Sequence, residues 1–288
     1  MTDKKIKLAL IGYPLSHSYS KIIQECAIKA LGYEGSYDIL ETKPEDLVDR
    51  IKYLKLNNYS GFNVTIPHKV PIALFLDKVD DMTDCIGSSN TIKILPDKTF
   101  SGYNTDIYGF VSAISIEQRR KLNSSTVAII GAGGAARACV MGLSKLGVKK
   151  INFYVRNLLK SKETVDFLRE KFKNIEINIY QNQFLKDLSD TQMLVNCTPL
   201  GMRNHSMDLT PVAENIIKTL PPDGIVYDLV YNPMKTNLIK SAIKHGKTPI
   251  YGLDMLIYQA QKAFEIWTGE LPNFDKLKIA ILEYLLEN

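Results

Sequence analysis

A lysine that follows a short β-branched stretch is the first candidate for acid–base chemistry in this sequence. It is Lys69, at the end of GFNVTIPHK. Val64 and Thr65 favour a strand and Pro67 ends it, so the lysine is predicted to lie in a rigid turn at a strand end. Held beside Thr65 and Asn63, whose side chains form hydrogen bonds, it could exchange a proton with a substrate. A surface lysine in a loop would fit the same segment.

Other polar side chains could complete such a site, although each has a structural role as an alternative. Ser18 and Ser20 flank one tyrosine. In an extended loop their hydroxyls would point the same way and could hold a carboxylate. Either serine could instead cap the helix that follows. Asp106 in GYNTD could be a partner for a lysine or only a helix N-cap, and Asn90 in GSSNT is equally ambiguous.

A glycine-rich segment after an apolar stretch has the form of a dinucleotide fingerprint. The predicted strand Thr126 to Ile130 runs into a Gly-Ala segment that opens a helix, composed of Gly131, Ala132, Gly133, Gly134 and Ala135. In this context the first glycine makes a tight turn, and the second lets the backbone approach a pyrophosphate at the helix N-terminus. The alternative is a glycine-rich turn that binds no ligand.

The end of the next predicted strand favours a phosphorylated dinucleotide. In NAD enzymes an acidic residue about 20 residues after the glycines binds the ribose 2′-hydroxyl. Here the strand ends at Val155, and Arg156 and Asn157 follow with no acid before Glu163. Arg156 could pair with a 2′-phosphate and Lys160 could add charge. We therefore expect NADP, with solvated residues at a helix start as the alternative.

The order of apolar segments predicts two α/β domains that would position these residues. Residues 1–105 combine strand patterns, helices and a hairpin near Pro96, which indicates a small α/β domain. In residues 106–248 short apolar strands alternate with helices, which predicts a doubly wound parallel sheet. Residues 249–288 form two helices that could pack on either domain. Single helices are also predicted over 69–76 and 106–122.

Length, composition and net charge limit the classes of function that fit this sequence. At 288 residues, with 45% hydrophobic and 23% charged residues, the chain is typical of a globular protein with two domains. A net charge of +5 without basic-aromatic patches argues against nucleic acid and suits an anionic small molecule. No stretch approaches the roughly 20 apolar residues of a membrane span. The scattered cysteines and histidines give no metal site, and with no signal peptide they indicate a reduced, cytoplasmic protein.

Eight segments between Gly12 and Trp267 resemble the shikimate dehydrogenase family. In order they are HSYS, GFNVTIPHK, SNT, GYNTD, GAGGAAR, NCTPLGM, YDLVYNP and YGLDMLIYQA. The resemblance implies an N-terminal substrate domain, a Rossmann domain that binds NADP, and C-terminal helices that return to the first domain. The implied activity is the reversible, NADPH-dependent reduction of 3-dehydroshikimate to shikimate in aromatic amino-acid biosynthesis, by a monomer or homodimer.

The resemblance also implies roles for individual residues. Lys69 and Asp106 would be the catalytic pair, and Ser18 and Ser20 would hold the substrate carboxylate. Further substrate contacts would come from Asn63, Thr65, Asn90, Asp106, Tyr231 and Gln259. The cofactor would be contacted by Asp81, Gly131 to Ala135, Arg156, Leu229 and Gly252, to which the strand end adds Asn157 and Lys160.

Three departures from the family pattern leave alternatives open. Lys21 stands where a proline usually follows the second serine, and the dipeptide before SNT is Gly-Ser rather than the commoner Gly-Ala. Val155 and Asn157 replace the usual asparagine and threonine around Arg156, which would weaken discrimination against NAD. A quinate or dual quinate/shikimate dehydrogenase is the nearest alternative, since its scaffold is the same. A non-catalytic dinucleotide sensor is another, but it would be expected to lose Lys69 or Asp106.

Overall fold

The computed structural model describes residues 4–15, 18–203 and 206–287. The chain divides into two compact units. Unit 1 comprises Met1–Gly109 and Ile257–Asn288, and unit 2 comprises Phe110–Leu256. Unit 2 is therefore one continuous segment inserted into the sequence of unit 1. The domain boundaries predicted after residues 105 and 248 stay a prediction.

Short strands alternate with helices along the described chain. The strands are β1 (Lys5–Gly12), β2 (Glu34–Glu41), β3 (Gly61–Val64), β4 (Lys78–Val79), β5 (Thr91–Ile94), β6 (Phe100–Tyr103), β7 (Thr126–Ile130), β8 (Lys150–Val155), β9 (Glu176–Gln181), β10 (Met193–Asn196), β11 (Ile225–Asp228) and β12 (Thr248–Tyr251). The helices are α1 (Ser20–Ala30), α2 (Leu47–Leu56), α3 (Asp81–Ile86), α4 (Thr105–Ser112), α5 (Ile116–Leu122), α6 (Gly134–Lys145), α7 (Leu158–Lys171), α8 (Glu214–Ile217), α9 (Asn237–Lys244), α10 (Gly252–Thr268) and α11 (Phe274–Glu287). Short 3₁₀ helices cover Pro44–Asp46, Pro71–Phe75 and Asn182–Phe184.

Unit 1 is built on a mixed six-stranded sheet in the order β2-β1-β3-β5-β6-β4. Strand β1, next to the edge strand β2, pairs in parallel with β2 and β3 because helices return the chain between them. The pairs β3–β5 and β5–β6 are antiparallel, the latter joined by the hairpin predicted near Pro96, and the edge strand β4 pairs in parallel with β6. One face packs a core that includes Ile11, Phe62 and Ile92.

Helix α11 and the part of α10 from Ile257 onwards complete unit 1. The indole Nε1 of Trp267 donates to the Ile92 carbonyl oxygen at 2.9 Å, and a Cβ on Gly61 would lie 2.3 Å from that indole nitrogen. The amide of Gln24 on α1 donates to the Ala260 carbonyl oxygen at 3.1 Å. The expectation that the C-terminal helices pack on the first domain is therefore confirmed.

Unit 2 contains a parallel six-stranded sheet in the order β12-β11-β10-β7-β8-β9. Its inner strands β7, β10 and β11 are short and almost entirely buried, because helices cover both faces of such a sheet. Counted from β7, the order is that of a Rossmann fold, so the doubly wound prediction is confirmed. The order reverses between β7 and β10, and the carboxyl ends of strands beside such a switch point are where these sheets bind ligands.

Some local predictions were wrong. The segment 69–76 forms the 3₁₀ helix Pro71–Phe75 instead of an α-helix. The helix over 106–122 is interrupted after α4, because Ser115 caps α5 with its hydroxyl and Gln118 caps in return. The short strands β4 and β12 were not predicted. Among the described residues, no helix is long and apolar enough to cross a membrane.

Candidate active site

The centre of the candidate site in unit 1 is an ion pair between Lys69 and Asp106. The Nζ of Lys69 lies 2.5 Å from Oδ2 of Asp106, and the two side chains are 15% and 9% exposed. Lys69 follows a turn in which the His68 amide donates to the Thr65 carbonyl oxygen at 2.8 Å. Its own carbonyl oxygen accepts from the Ser89 amide at 2.8 Å. A lysine fixed at both backbone and side chain is preorganised for proton transfer.

Asn90 holds the other oxygen of this carboxylate. Its Oδ1 accepts from the backbone amide of Thr105 at 2.8 Å, and its Nδ2 donates to Oδ1 of Asp106 at 2.8 Å. Since a backbone N–H can only donate, the Thr105 amide fixes which end of the Asn90 side chain is oxygen. The Asp106 carboxylate is therefore held by a cation on one oxygen and by an amide on the other.

A chain of buried hydrogen bonds extends from Asn90 to Asn63 on β3. The Thr91 hydroxyl lies 3.0 Å from Oδ1 of Asn90 and 3.0 Å from Nδ2 of Asn63. Thr91 is fully buried and Asn63 is 6% exposed. The Thr105 hydroxyl also lies 3.4 Å from Oε1 of Gln259 on α10. The structure thus brings Lys69, Asp106, Asn90, Asn63 and Gln259 into one polar network.

The two serines differ from the predicted geometry. Tyr19 between them has helical backbone angles and Ser20 begins α1, so the extended loop is wrong. The hydroxyl of Ser18 accepts from the Ser20 amide at 3.2 Å, an interaction that helps to start the helix. Both serines remain partly exposed. His17, in the quoted HSYS segment, lies outside the described residues.

The glycine-rich loop of unit 2 joins β7 to α6 as predicted from its sequence. Gly131 has φ of +90°, and a Cβ there would lie 2.7 Å from Cγ2 of Thr198. A Cβ on Gly133 would meet no atom within 4 Å, so open space lies over the start of α6. The first turn of α6 carries no acidic residue and no side-chain cap. The N-terminus of a helix, where N–H groups point at the ligand, suits the pyrophosphate of a dinucleotide.

Positively charged residues follow β8, the strand next to β7. Arg156 and Lys160 are both exposed. Asn157 caps α7, since its Oδ1 accepts from the Lys160 amide at 3.0 Å. That oxygen is therefore already used within the protein, and the amide nitrogen of Asn157 is the end that would be offered to a cofactor. An exposed guanidinium at this strand end fits a 2′-phosphate.

The remaining cofactor candidates are spread over both units. Leu229 directly follows β11, and Gly252 is the first residue of α10. The two residues are in close contact, since a Cβ on Gly252 would lie 2.5 Å from the Leu229 carbonyl oxygen. Asp81 begins α3 in unit 1 and is exposed. The substrate candidate Tyr231 belongs to unit 2, and Thr65 is partly buried in unit 1.

A buried carboxylate organises the loops after β10 and β11. Asp228 is fully buried and accepts from the Asn196 amide at 2.9 Å, the Val230 backbone amide at 3.0 Å and the Thr236 hydroxyl at 2.6 Å. Burial raises its pKa to about 6, although these three donors act in the opposite direction. Because Leu229 lies inside this arrangement, Asp228 fixes the backbone of a cofactor candidate.

Comparison with known proteins identifies the family. A model of the shikimate dehydrogenase substrate binding domain matches residues 10–92, and one of the shikimate 5′-dehydrogenase C-terminal domain matches residues 252–280. A relative from Methanococcus maripaludis, named shikimate dehydrogenase (NADP(+)), is 38% identical over 282 residues, which cover 98% of each chain. The chain belongs to the shikimate dehydrogenase family. The resemblance inferred from the eight segments is thereby confirmed.

Solved structures align with nearly the whole length of the chain. A shikimate dehydrogenase in complex with NADP⁺ aligns with a TM-score of 0.87 at 36% identity, covering 98% of this chain and 96% of the other. A quinate dehydrogenase from Corynebacterium glutamicum in complex with NAD aligns with a TM-score of 0.86 at 26% identity, covering 97% and 99%. The similarity of the two scores means that fold alone does not select between these substrates.

Sequence reasoning missed the residues that support the predicted ones. Thr91 and Thr105 lie within quoted motifs, SNT and GYNTD, but neither was assigned a role. Tyr37, whose hydroxyl donates to Oδ1 of Asn63 at 2.7 Å, was not singled out at all. No local pattern could have found it, because the two residues meet only when β2 and β3 lie on either side of β1.

Proposed function

We propose that this protein is an NADP-dependent shikimate dehydrogenase, which catalyses the reversible reduction of 3-dehydroshikimate to shikimate. The observation that carries the proposal is the buried set of Lys69, Asp106 and Asn90, held by hydrogen bonds of 2.5 and 2.8 Å. Such a set can deliver a proton to a developing alkoxide and take one from an alcohol. Membership of the family supplies the substrate class.

Lys69 is the proposed acid and base of the reaction. Bound NADPH supplies the hydride that reduces the substrate ketone. As the ketone oxygen gains negative charge, the Lys69 ammonium stabilises it and transfers a proton to it from Nζ. In the reverse direction Nζ accepts the proton of the shikimate hydroxyl.

Asp106 and Asn90 orient this lysine. Without Asp106, the ammonium would be free to adopt several rotamers, and the fraction aligned for proton transfer would fall. Asn90 prevents the carboxylate from rotating, because it holds the oxygen that does not contact Lys69. We assign Asp106 a second contact to a ring hydroxyl of the substrate.

The remaining substrate residues would bind the carboxylate and the ring hydroxyls. Ser18 and Ser20 offer neutral donors for the carboxylate near the start of α1. Amide and hydroxyl groups for the ring would come from Asn63, Thr65, Asn90, Gln259 and Tyr231. Neutral donors and acceptors select among polyhydroxylated rings because each unpaired hydroxyl carries a desolvation cost.

The cofactor would be held by unit 2. Gly131, Ala132, Gly133, Gly134 and Ala135 form the loop for the pyrophosphate, and the guanidinium of Arg156 would pair with the 2′-phosphate, with Lys160 nearby in sequence. The amide of Asn157 and the backbone of Leu229 and Gly252 are further proposed contacts, and a cofactor role for Asp81 stays a prediction. A cytoplasmic location and a monomeric or homodimeric state also stay predictions.

A direct assay tests the proposal. Purified protein is incubated with shikimate or quinate, each with NADP⁺ or NAD⁺, and the reduced cofactor is followed by absorbance. We expect shikimate with NADP⁺ to give the highest kcat/KM. A higher kcat/KM for quinate with NAD⁺ would contradict the proposal and favour the quinate dehydrogenase alternative. No turnover of either substrate by folded protein would favour the dinucleotide sensor.

Quinate use is the second candidate because of two observations. The quinate dehydrogenase that aligns with this chain was solved with NAD. In this chain Val155 is buried and offers no hydrogen bond at the strand end where the family usually has an asparagine, and the Asn157 oxygen is used to cap α7. The features at Val155 and Asn157 both reduce the number of side-chain contacts by which the protein could discriminate between NADP and NAD.

A further inference from the structure

A fully buried hydroxyl next to the candidate site belongs to Tyr37 on β2. Tyr37 is fully buried, and in the sheet register its neighbour on β1 is Leu8. Asn63 on β3 pairs with Leu10 on the same face of β1. The phenol therefore reaches diagonally across β1, and its oxygen lies 2.7 Å from Oδ1 of Asn63.

Backbone groups fix the orientation of the Asn63 amide. Its Nδ2 lies 3.1 Å from the carbonyl oxygen of Asn90, which can only accept a hydrogen bond. The group that faces this carbonyl must be nitrogen, so the group that faces Tyr37 is oxygen. The single proton of the phenol is consequently donated to Asn63.

The same contacts leave the Asn63 side chain able to accept one more hydrogen bond but unable to donate one. One N–H of its amide is used by the Asn90 carbonyl oxygen and the other by the Thr91 hydroxyl at 3.0 Å. The oxygen has two lone pairs, of which Tyr37 occupies one. Asn63 can therefore only accept from a ligand, through the second lone pair of Oδ1.

We propose that Tyr37 is a positioning residue for substrate recognition, which holds Asn63 so that it accepts a hydrogen bond from a ring hydroxyl of the substrate. This inference rests on the proposed function, since Asn63 is one of its substrate contacts. The substrate group that it selects is an alcohol with its proton, and an oxygen without a proton at that ring position is rejected because it would face another lone pair.

The surroundings of the phenol suit this role. Burial raises the pKa of Tyr37, and the nearby Ser20 side chain acts in the opposite direction. The phenol therefore stays a donor throughout the neutral pH range.

The test removes only the hydroxyl, in Tyr37→Phe. Without its donor the Asn63 oxygen is held less firmly, so we expect KM for shikimate to rise about tenfold while kcat changes less than about twofold. KM for NADP⁺ should stay unchanged. A set of deoxy analogues of shikimate adds a readout of specificity: the variant should discriminate less than the wild type against the analogue that lacks the recognised hydroxyl.

Tyr59→Phe is the matched control. The Tyr59 hydroxyl donates to Oδ2 of Asp38 at 2.7 Å, and its ring is packed in the core of the same unit. The Tyr59→Phe variant also loses one phenol hydrogen bond, but it keeps every hydrogen bond that involves Asn63. We expect a comparable drop in melting temperature for the two variants and an increase in KM for Tyr37→Phe alone.

A double-mutant cycle with Asn63→Ala separates positioning from a general structural effect. If Tyr37 acts through Asn63, the Tyr37→Phe change should raise KM about tenfold in the wild type and less than about twofold in the Asn63→Ala background. An unchanged KM in Tyr37→Phe, an equal rise in Tyr59→Phe, or full additivity in the cycle would each overturn the inference while leaving the proposed function intact. Wild-type protein that neither binds nor oxidises shikimate would overturn both.

Discussion

At the scale of single residues, Lys69 carries the proposed proton transfer. Its Nζ carries the protons that the ion pair can transfer, whereas the Asp106 carboxylate accepts hydrogen bonds from Lys69 and Asn90. We expect Lys69→Ala to lower kcat by about 10²- to 10⁴-fold, the usual contribution of a positioned acid or base, with KM for shikimate changed by less than about fivefold. Steady-state kinetics in both directions measure this.

Lys52→Ala is the control for Lys69→Ala, since it removes the same charge. Lys52 pairs with Asp49 at 3.3 Å, but both side chains are well exposed. Exposed pairs of this kind contribute little, so kcat, KM and melting temperature should all stay close to the wild type. Near-normal turnover in Lys69→Ala would exclude it as the acid or base.

The free energy of unfolding should depend on pH through Asp228, and one substitution can isolate this effect. Its pKa is raised to about 6 from 3.8, so in the folded state it takes up a proton more readily than when unfolded. The ionised Asp228 carboxylate therefore destabilises the folded protein above about pH 6, by about 3 kcal/mol near neutrality. This destabilisation decreases as the pH falls towards 4. Asn at this position keeps the shape without the charge.

The comparison is urea unfolding of the wild type and Asp228→Asn at about pH 7 and about pH 5. On this change of pH we expect the wild type to gain about 1 kcal/mol in free energy of unfolding relative to the variant. Other carboxylates titrate in both proteins, so their effects cancel in the difference. Parallel pH dependences would show that Asp228 does not titrate in this range.

At the scale of elements, the turn from β8 into α7 is proposed to select the cofactor. Arg156 is exposed at the end of β8, next to the strand that leads into the glycine loop. We expect Arg156→Ala to raise KM for NADP⁺ by about 10- to 100-fold and KM for NAD⁺ by less than about threefold, because only NADP carries the 2′-phosphate. Cofactor titrations at saturating shikimate measure both values.

Lys162→Ala provides the control on the same helix. Lys162 is exposed on α7 and pairs with Asp166, one helical turn further on. Its removal changes the net charge equally but leaves the strand end intact, so both KM values should stay within about twofold of the wild type. An equal rise in KM for NADP⁺ and NAD⁺ in Arg156→Ala would contradict 2′-phosphate recognition.

Elements with a strong periodic signal could be predicted from sequence, whereas short or tightly capped ones could not. The apolar stretches of β1, β7, β10 and β11 were found because parallel strands are buried on both faces. The two-residue β4 has no such signal. Ser20 was placed in an extended loop because a serine favours a cap as readily as a turn, and only the folded chain shows that α1 begins there.

At the scale of the whole molecule, local sequence patterns were not sufficient to predict the candidate site. Lys69 and Asp106 were joined by family resemblance, and the structure places them in contact at 2.5 Å. The role of Tyr37 depends on the strand order β2-β1-β3 and on the register across β1, neither of which follows from the periodicity of one segment. The residues proposed to bind the substrate could thus be identified from the sequence, and those that hold them in place could not.

The chain order of the units leads to a prediction about folding. All strands of the parallel sheet, β7 to β12, lie within residues 110–256, and the ring of Phe110 stacks on Tyr227 at 4.9 Å. Unit 2 therefore has its complete core in one continuous segment, and a fragment of residues 110–256 should fold alone. We expect a cooperative urea transition by circular dichroism and binding of NADP⁺ by the fragment.

Residues 1–109 should behave differently, because their sheet depends on α10 and α11. Trp267 hydrogen-bonds to Ile92, and Lys93 donates to the Ile266 carbonyl oxygen at 2.7 Å. Without these helices the sheet face around Gly61 is exposed to water and an apolar surface is left uncovered. The fragment alone should show no cooperative transition, whereas the same fragment joined to residues 257–288 by a flexible linker should regain one. A cooperative transition in residues 1–109 alone would show that the C-terminal helices are dispensable for that sheet.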